Sequence, residues 1–316
     1  MSQSPAAVIG VDLGGTKLAT AVFEISGQMR YHSNLSLGSN TGPAAGALIR
    51  EAILDCIAKT NSSVKAIGVA VPGISRKKTG TVWAPNIQGW DDYPLLEELQ
   101  TSFPGVQVVI ESDRSCYIMG EHWQGNAREA QNALFLSFGT GIGAGILVDG
   151  RIMRGAHDIA GAIGWWTMGL PFQKKYVPCG FFEHHASGEG LRKIALEYFE
   201  EKGMRPASLA EHFSAADIFT SHAAGEVWAR HVVEQAVTYW GMAAANLISV
   251  FDPEVIIFGG GVFGPAVSLI PAIQEETKKW AQPVAAKMVA FVPSSLGGHA
   301  GVYGAGYFAL QSLQDN

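Results

Sequence analysis

Cysteine is scarce in this chain, which has three cysteines among its 316 residues. Cys56, Cys116 and Cys179 lie far apart and form no Cys-x-x-Cys pair, so we expect reduced, mostly buried thiols and no cysteine-built zinc site. The apolar stretch near the start is interrupted by Asp12 and a glycine pair, which argues against a signal peptide or a membrane span there. These absences predict a cytoplasmic protein.

Positive charge is also sparse. The formal net charge is -6 and the isoelectric point is about 5.8, whereas proteins that bind nucleic acid usually carry a concentrated positive surface. The one basic run is Arg76, Lys77 and Lys78, just before the turn-forming Gly80. We expect this run to form a solvated surface turn, with an anion contact as the alternative. No nucleic-acid partner is expected.

Two familiar phosphate-binding motifs are missing. The chain has no Walker A pattern of glycine, four residues and Gly-Lys-Ser/Thr. The glycine-rich stretch 139–145 lacks the Gly-x-Gly-x-x-Gly spacing and runs into an apolar strand rather than a helix. Dinucleotide chemistry is therefore disfavoured.

Apolar residues are abundant, at 47% of the chain, and the length favours two domains. An apolar strand, a glycine turn and a second apolar strand occur at 8–23 and again at 132–150, which predicts two hairpins and a duplicated architecture. A helical pattern led by Pro43 precedes the buried strand "VKAIGVAVPG". Strands that alternate with helices in this way indicate an α/β protein with sheets covered on both faces.

Three glycine turns follow predicted strands. Glycines at such positions let backbone amides surround an anion, and Asp12 is placed to hold magnesium through water. Each turn alone could be a tight hairpin, and Lys17 could equally lie on the surface, but three turns together favour nucleotide phosphates. The residues are Gly14, Gly15, Thr16 and Lys17 in the first turn, Gly139, Thr140 and Gly141 in the second, and Gly259, Gly260 and Gly261 in the third.

The order of motifs along the chain resembles that of the ROK family of sugar kinases. The matching segments are "VDLGGTK", "VIESD", "SFGTGIGAG", "VDGRIMRGAHDIAG", "IIFGGGV" and "HAGVYGAG", and the likeness spans nearly the whole chain. It implies an α/β, two-domain actin-like (ribonuclease H-like) ATPase fold with mixed sheets flanked by helices. A small domain of residues 1–115 and 300–316 and a large domain of 116–299 would enclose an active-site cleft.

The resemblance implies an enzyme that transfers phosphate from ATP, with Mg²⁺, to the primary (6-type) hydroxyl of a hexose or modified hexose. Asp113 would be the catalytic base that accepts the hydroxyl proton, although Asp is also a common helix N-cap. ATP and Mg²⁺ would bind at Asp12 and the three glycine turns. The substrate-binding residues would be Gly73, Asn86, Ser112, Asp113, Glu183 and Trp165. A homodimer is a candidate assembly by analogy.

Several residues depart from the family pattern around the implied base. The family commonly has Glu-Asn-Asp-Ala-Asn, and this chain has Ser112 in place of the first asparagine. Arg114 would lower the pKa of Asp113 if it points inward, while a solvent-facing side chain is the alternative.

The implied sugar pocket is also altered. Ala162 and Trp165 stand where the family has a glutamate and a histidine that contact the sugar, and that histidine also helps to hold zinc. Cys179 is the one cysteine left in the zinc loop, so we expect no zinc site, with His184 and His185 used for packing. Trp165 and the adjacent tryptophan either stack on the apolar face of a modified hexose or pack in place of the zinc lobe.

Three alternatives remain open from the sequence. The chain could be a sensor that binds sugar and nucleotide without turnover, or a kinase of a cyclitol or glycoside rather than a free hexose. Polyphosphate could replace ATP. A sugar-responsive repressor is not expected, because DNA-binding members carry a helix-turn-helix module ahead of the first hairpin and only ten residues precede Val11 here.

Overall fold

The computed structural model describes residues 5–203, 209 and 212–314. The strands are β1 (Ala6–Leu13), β2 (Lys17–Glu24), β3 (Met29–Ser36), β4 (Ser63–Val71), β5 (Ile74–Arg76), β6 (Thr81–Trp83), β7 (Gln107–Ser112), β8 (Ala133–Phe138), β9 (Ile142–Val148), β10 (Arg151–Ile152), β11 (Val255–Gly259) and β12 (Ala290–Pro293). The helices are α1 (Gly42–Thr60), α2 (Leu95–Ser102), α3 (Asp113–Gln124), α4 (Phe181–Ala186), α5 (Gly188–Lys202), α6 (Ala215–Ala223), α7 (Val227–Phe251), α8 (Ile270–Trp280), α9 (Ala285–Met288) and α10 (Ala300–Ser312). Short 3₁₀ turns include Ile163–Trp165, Lys174–Tyr176 and Gly261–Phe263.

The chain divides into two compact units. Unit 1 takes its described residues from 1–129, 152–160 and 295–316, and unit 2 from 130–151 and 161–294. This division differs from the domain ranges expected from the sequence, because residues 116–129, 152–160 and 295–299 belong to unit 1. Two contacts explain the difference. Helix α3 packs along α10 of unit 1, and Arg154, in the segment 152–160, binds Glu111 of the same unit.

The sheet of unit 1 has the strand order β3-β2-β1-β4-β7. Strands β1 and β2 form the predicted antiparallel hairpin, with Leu13 opposite Leu18, while β1–β4 and β4–β7 are parallel pairs. Helix α1 connects β3 to β4, and it buries Ile49 and Ile53 against the sheet. Both the hairpin and the β-α-β crossover predicted from periodicity are confirmed.

The sheet of unit 2 repeats this plan, with the order β10-β9-β8-β11-β12. Strands β8 and β9 form the second predicted hairpin, and β8–β11 and β11–β12 are parallel. The duplicated architecture is therefore confirmed. Strands with both faces covered, such as β11, are buried along their whole length, as expected for parallel strands in an α/β fold.

Long helices cover the sheet of unit 2. Helix α7 spans 25 residues, and the fully buried Trp240 donates from its indole nitrogen to the Ala186 carbonyl oxygen at 3.0 Å. Ser214 and Asp217 form the capping box predicted at the start of α6. Within the described part of the chain, no helix combines the length and the apolar character that crossing a membrane requires.

Helix α10 explains the glycines of the "HAGVYGAG" motif. A Cβ on Gly304 would overlap the carbonyl oxygen of Cys116 in α3, and a Cβ on Gly301 would overlap the carboxylate of Asp12 at the end of β1. On the strand side, Gly10 and Gly68 have the same close approach to α10. Because these positions lack side chains, α10 lies directly on the sheet and its first turn lies beside Asp12.

Candidate active site

The first glycine turn is exposed at the end of β1. The amide of Gly14 donates to the Lys17 carbonyl oxygen at 2.8 Å, which closes the turn, while Gly15, Thr16 and Lys17 are exposed. The Asn86 Cβ lies about 4.0 Å from the position that a Cβ on Gly15 would take. The residues predicted to bind phosphate in unit 1 therefore form one accessible turn, with the predicted sugar contact Asn86 beside it.

Asp12 is an acid with an unsatisfied oxygen. Its Oδ1 is buried and has no hydrogen-bond partner among the described residues. Burial, and secondly the charge of Asp113, raise the pKa of Asp12 from 3.8 to about 7. A buried carboxylate oxygen with no protein partner is costly unless a cation or water meets it, so Asp12 fits the predicted magnesium role.

Asp113 is the first residue of α3 and not its N-cap. The N-cap is Ser112, whose hydroxyl accepts a hydrogen bond from the Ser115 amide at 3.4 Å. The alternative interpretation of Asp113 as a cap is therefore wrong. Burial raises the pKa of Asp113, while the charge and the amide of Arg114 lower it. An acid whose pKa is raised toward neutrality is suited to act as a general base.

Arg114 folds back onto the site. Its Nη2 donates to the Gly73 carbonyl oxygen at 3.1 Å, and its amide donates to Asp113 Oδ1 at 2.7 Å. Of the two alternatives for this side chain, the structure therefore shows the one in which the guanidinium lowers the pKa of Asp113. Arg114 therefore connects Gly73, which is predicted to contact sugar, to the predicted base Asp113.

A charge cluster beside the base was missed by sequence reasoning. Glu111 has a side chain only 5% exposed and accepts from Arg154 Nη2 at 2.7 Å and Nε at 3.2 Å. Lys77 Nζ lies 2.5 Å from the same carboxylate, and the Lys77 amide donates to Asp158 at 3.1 Å.

This cluster refines the expectation for the basic run. Lys77 and Lys78 lie in an exposed turn, as expected, but the Lys77 ammonium is paired with a buried acid. Burial of Glu111 requires such partners, because an unpaired charge would be strongly destabilising. The signals that could have found the cluster were Arg154 in the "VDGRIMRGAHDIAG" motif and Lys77 in the basic run.

The second and third glycine turns lie side by side in unit 2. Gly139 donates to the Gly141 carbonyl oxygen at 2.9 Å and accepts from the Gly188 amide at 2.8 Å, while Thr140 is exposed. Gly260 has φ of 85° and packs against the backbone of Phe138, where a side chain would not fit. The structure therefore brings together the two predicted phosphate turns of this unit, with Gly259 ending β11 and Gly261 starting a 3₁₀ turn.

Glu183 lies against the second glycine turn. Its Oε2 accepts from the Ile142 amide at 2.7 Å, and a Cβ on Gly141 would lie 2.6 Å from the same oxygen. Burial raises the pKa of Glu183, while the Ile142 amide and Lys193 lower it. Glu183, the predicted sugar-binding acid, is therefore anchored to the start of β9 through one of its two carboxylate oxygens.

The two tryptophans have different environments. Trp165 is 57% exposed, whereas Trp166 is half-buried and packs against the core of unit 2. Trp165 lines a pocket of about 260 Å³, which we call the aromatic pocket. Its apolar lining residues are Trp165, Leu170, Phe172, Tyr176, Val177 and Phe181.

The neighbouring histidines pack as predicted. The rings of His184 and His185 lie 5.4 and 5.6 Å from the Tyr176 ring, and His185 lies 4.4 Å from the Phe181 ring. Burial lowers the pKa of His185 to about 4. Among the described residues, no group of three or more His, Cys, Asp or Glu side chains is arranged to hold a metal ion.

Comparison with known proteins extends these observations. The model of the ROK family matches residues 8–312. A glucokinase of Halalkalibacterium halodurans is 32% identical over 96% of this chain and 94% of its own length. An N-acetyl-D-glucosamine kinase of Yersinia pseudotuberculosis is 27% identical over 80% and 83%. A putative xylose repressor of Caldicellulosiruptor is 28% identical over 80% of this chain but 65% of its own length.

Solved structures agree in fold. A ROK hexokinase from Thermus thermophilus has a TM-score of 0.79 and 27% identity, with 98% of this chain and 100% of that chain covered. A ROK family glucokinase from Streptomyces griseus, in complex with glucose and AMPPNP, has a TM-score of 0.78 and 26% identity, with 96% and 99% covered. The mixed sheets flanked by helices are those of the actin-like ATPase fold, and the chain belongs to the ROK family.

Proposed function

We propose that this chain transfers the γ-phosphate of ATP to the primary hydroxyl of a hexose or modified hexose. The chain is a sugar kinase by its relatives, which include kinases that match most of its length. The observation that carries the proposal is the pair of neighbouring acids, Asp12 and Asp113, beside the exposed first glycine turn. Parallel pairing places Asp12 opposite Ala70, and Ala70 opposite Glu111, so both acids lie at the same edge of the sheet. The charge of Asp113 contributes to the raised pKa of Asp12.

Asp113 is the proposed base. Its carboxylate, at the first turn of α3, accepts the proton of the sugar hydroxyl as that oxygen attacks phosphorus. The charge and the amide of Arg114 lower the Asp113 pKa against the effect of burial, which favours the ionised form over the protonated one. The peptide of Gly73 is held by Arg114, which fixes this side of the sugar site.

Asp12 and the first glycine turn are the proposed metal and phosphate site. The free Oδ1 of Asp12 would hold magnesium, and the exposed Gly15 and Thr16 offer donors to phosphate oxygens. When bound, magnesium neutralises charge on the β- and γ-phosphates. The first turn of α10, beside Asp12, adds a positive dipole end that favours anions.

We propose further contacts within unit 2. The adjacent turns at Gly139–Gly141 and Gly259–Gly261 offer backbone amides to the nucleotide. Glu183 has one oxygen engaged with Ile142 and offers the other to a sugar hydroxyl. Glu183 adjoins the second glycine turn, which supports its assignment as a sugar ligand beside a phosphate-binding turn of the same unit.

A nucleotide- and sugar-binding sensor is the alternative to an enzyme. A coupled assay of ADP release over a panel of hexoses, glycosides and cyclitols separates the two. We expect ADP release that depends on sugar, and none from 6-deoxyglucose, which lacks the primary hydroxyl. Binding of sugar and ATP without ADP release from any acceptor would establish the sensor, and phosphorylation of 6-deoxyglucose would exclude the primary hydroxyl. The same panel with polyphosphate in place of ATP tests the donor.

A further inference from the structure

The aromatic pocket exposes an unusual amount of apolar surface next to the proposed sugar site. Trp165, Leu170, Phe172 and Val177 are all more than half exposed, and Phe172 is 72% exposed. Large apolar side chains are normally scattered over a protein surface, and a concentrated group of them marks a binding site. These four residues fall within one segment of 13 positions.

The floor of the pocket is built from packed aromatic rings. Tyr176 and Phe181 lie 4.9 Å apart between ring centroids and rest on a layer formed by His184, His185 and Tyr239. The hydroxyl of Tyr176 lies 3.3 Å from His185 Nε2. Because the floor is fixed by ring packing, the pocket exists before any ligand arrives.

The pocket adjoins Glu183 within unit 2. A Cβ on Gly164 would lie 2.9 Å from Glu183 Oε2, and a Cβ on Gly180 would overlap the backbone of Trp165. The 3₁₀ turn that carries Trp165 is therefore packed directly on the start of α4. A ligand that binds the free oxygen of Glu183 would therefore lie beside the aromatic pocket.

The lining selects one kind of occupant. None of the described residues that line the pocket is charged, so it offers no partner for a charged group. Exposed aromatic faces bind flat apolar groups well, since burial of such area is favourable and rings stack on rings. The volume, about 260 Å³, admits a single ring.

We infer that the aromatic pocket is a subsite for an apolar ring attached to the sugar, so that the preferred substrate is a glycoside with an aryl group at the anomeric carbon. This inference rests on the proposed function, because it takes Glu183 as a sugar ligand. Leu170, Phe172 and Val177 would then be specificity-determining residues, and Trp165 would border both the sugar and its substituent.

The test compares phenyl and methyl glucosides of both anomers as acceptors. For the unaltered protein we expect kcat/KM for one phenyl glucoside to exceed that of the matching methyl glucoside by about tenfold or more, as one buried apolar group typically gives. Phe172→Ala should remove most of that preference by raising KM for the phenyl glucoside, with the methyl glucoside little changed. Val284→Ala, an exposed apolar residue of the same unit outside the pocket, is the control and should keep the preference.

Two results would overturn the subsite. One is equal kcat/KM for phenyl and methyl glucosides in the unaltered protein. The other is a concentration-dependent dimer, seen by sedimentation, that Phe172→Ala dissociates, because a second copy would then cover the pocket.

Failure of the proposed function gives a different result, namely no ADP release from any acceptor. In that case, titration with phenyl glucoside followed by tryptophan fluorescence still decides the subsite. Saturable quenching that Phe172→Ala weakens supports it, and no quenching excludes it.

Discussion

Arg154 binds the buried carboxylate of Glu111 through two of its nitrogens, at 2.7 and 3.2 Å. This pair ties the segment 152–160 to the end of β7, immediately before Ser112 and Asp113. Lys77 meets the same carboxylate from the turn after β5. The proposed base is thus preceded by a buried acid with two cationic partners.

Loss of Arg154 should destabilise the protein. We expect Arg154→Ala to lower the free energy of unfolding by about 2–3 kcal/mol, less than the ~3–5 kcal/mol typical of a broken buried pair, because Lys77 remains. Arg76→Ala is a matched control, since the two arginine side chains are 35% and 37% exposed but the partner of Arg76 is the exposed Asp92. Its loss should cost no more than about 1 kcal/mol. Urea unfolding measures both, and equal losses would contradict the role of Glu111 burial.

Removal of the proposed base should slow turnover selectively. We expect Asp113→Asn to reduce kcat by about 10²- to 10⁴-fold with little change in ATP affinity, because the amide cannot accept the hydroxyl proton. Steady-state ADP release and titration with a fluorescent nucleotide measure the two quantities. Asp91→Asn, at an exposed acid of the same unit, is the control and should match the unaltered protein. Unchanged turnover in Asp113→Asn would remove this residue from the mechanism.

Asp12 should make the stability of the ligand-free protein depend on pH. The pKa of Asp12 is about 7 in the folded state, raised from 3.8. Between these two pH values Asp12 is protonated in the folded state and ionised in the unfolded state. The contribution of Asp12 is therefore fully present below about pH 4 and is lost as the pH rises toward 7. We expect Asp12→Asn to remove this decline.

The measurement is urea unfolding of both proteins, without nucleotide or magnesium, at intervals from pH 4 to pH 8. The stability of Asp12→Asn relative to the unaltered protein should increase as the pH rises. Asp91→Asn should keep the pH dependence of the unaltered protein. Parallel curves for Asp12→Asn and the unaltered protein would show that Asp12 ionises normally.

The glycines of α10 should tolerate no side chain where the helix touches α3. A Cβ on Gly304 would overlap the Cys116 carbonyl, so Gly304→Ala should destabilise by about 3 kcal/mol or should not fold at all. Gly298→Ala places its Cβ in open space and should change stability by about 0.5 kcal/mol or less. Thermal unfolding and soluble yield report both variants. A fully stable Gly304→Ala would mean that α10 does not pack as described.

Local patterns revealed the hairpins and glycine turns because those features depend on neighbouring residues. Alternating apolar positions and a turn glycine suffice to predict β1–β2 and β8–β9. The family resemblance predicted the fold, which the solved structures confirm. The roles of Asp113, Glu183 and the glycine turns stay predictions.

Local patterns could not predict contacts between residues that lie far apart in the sequence. Glu111 and Arg154 are separated by 43 positions, and no local spacing indicates that a buried acid will meet two cations. The sequence offers Asp113 as the cap of α3, whereas the Ser112 hydroxyl forms it, because capping depends on where the helix begins. The role of Ser112 as a sugar contact stays a prediction. The exposure of Trp165 likewise depends on how its segment packs against α4.

The position of α10 has a consequence for synthesis of the protein. Its glycine-lined face rests against β1 and β4, yet the ribosome makes all of unit 2 after those strands and before this helix. Unit 1 therefore cannot complete its sheet packing while the nascent chain is being elongated through unit 2, whereas every strand of the second sheet has already emerged when α10 appears. Folding on the ribosome should begin with the later half of the duplicated architecture, and the surroundings of Asp12 should form last.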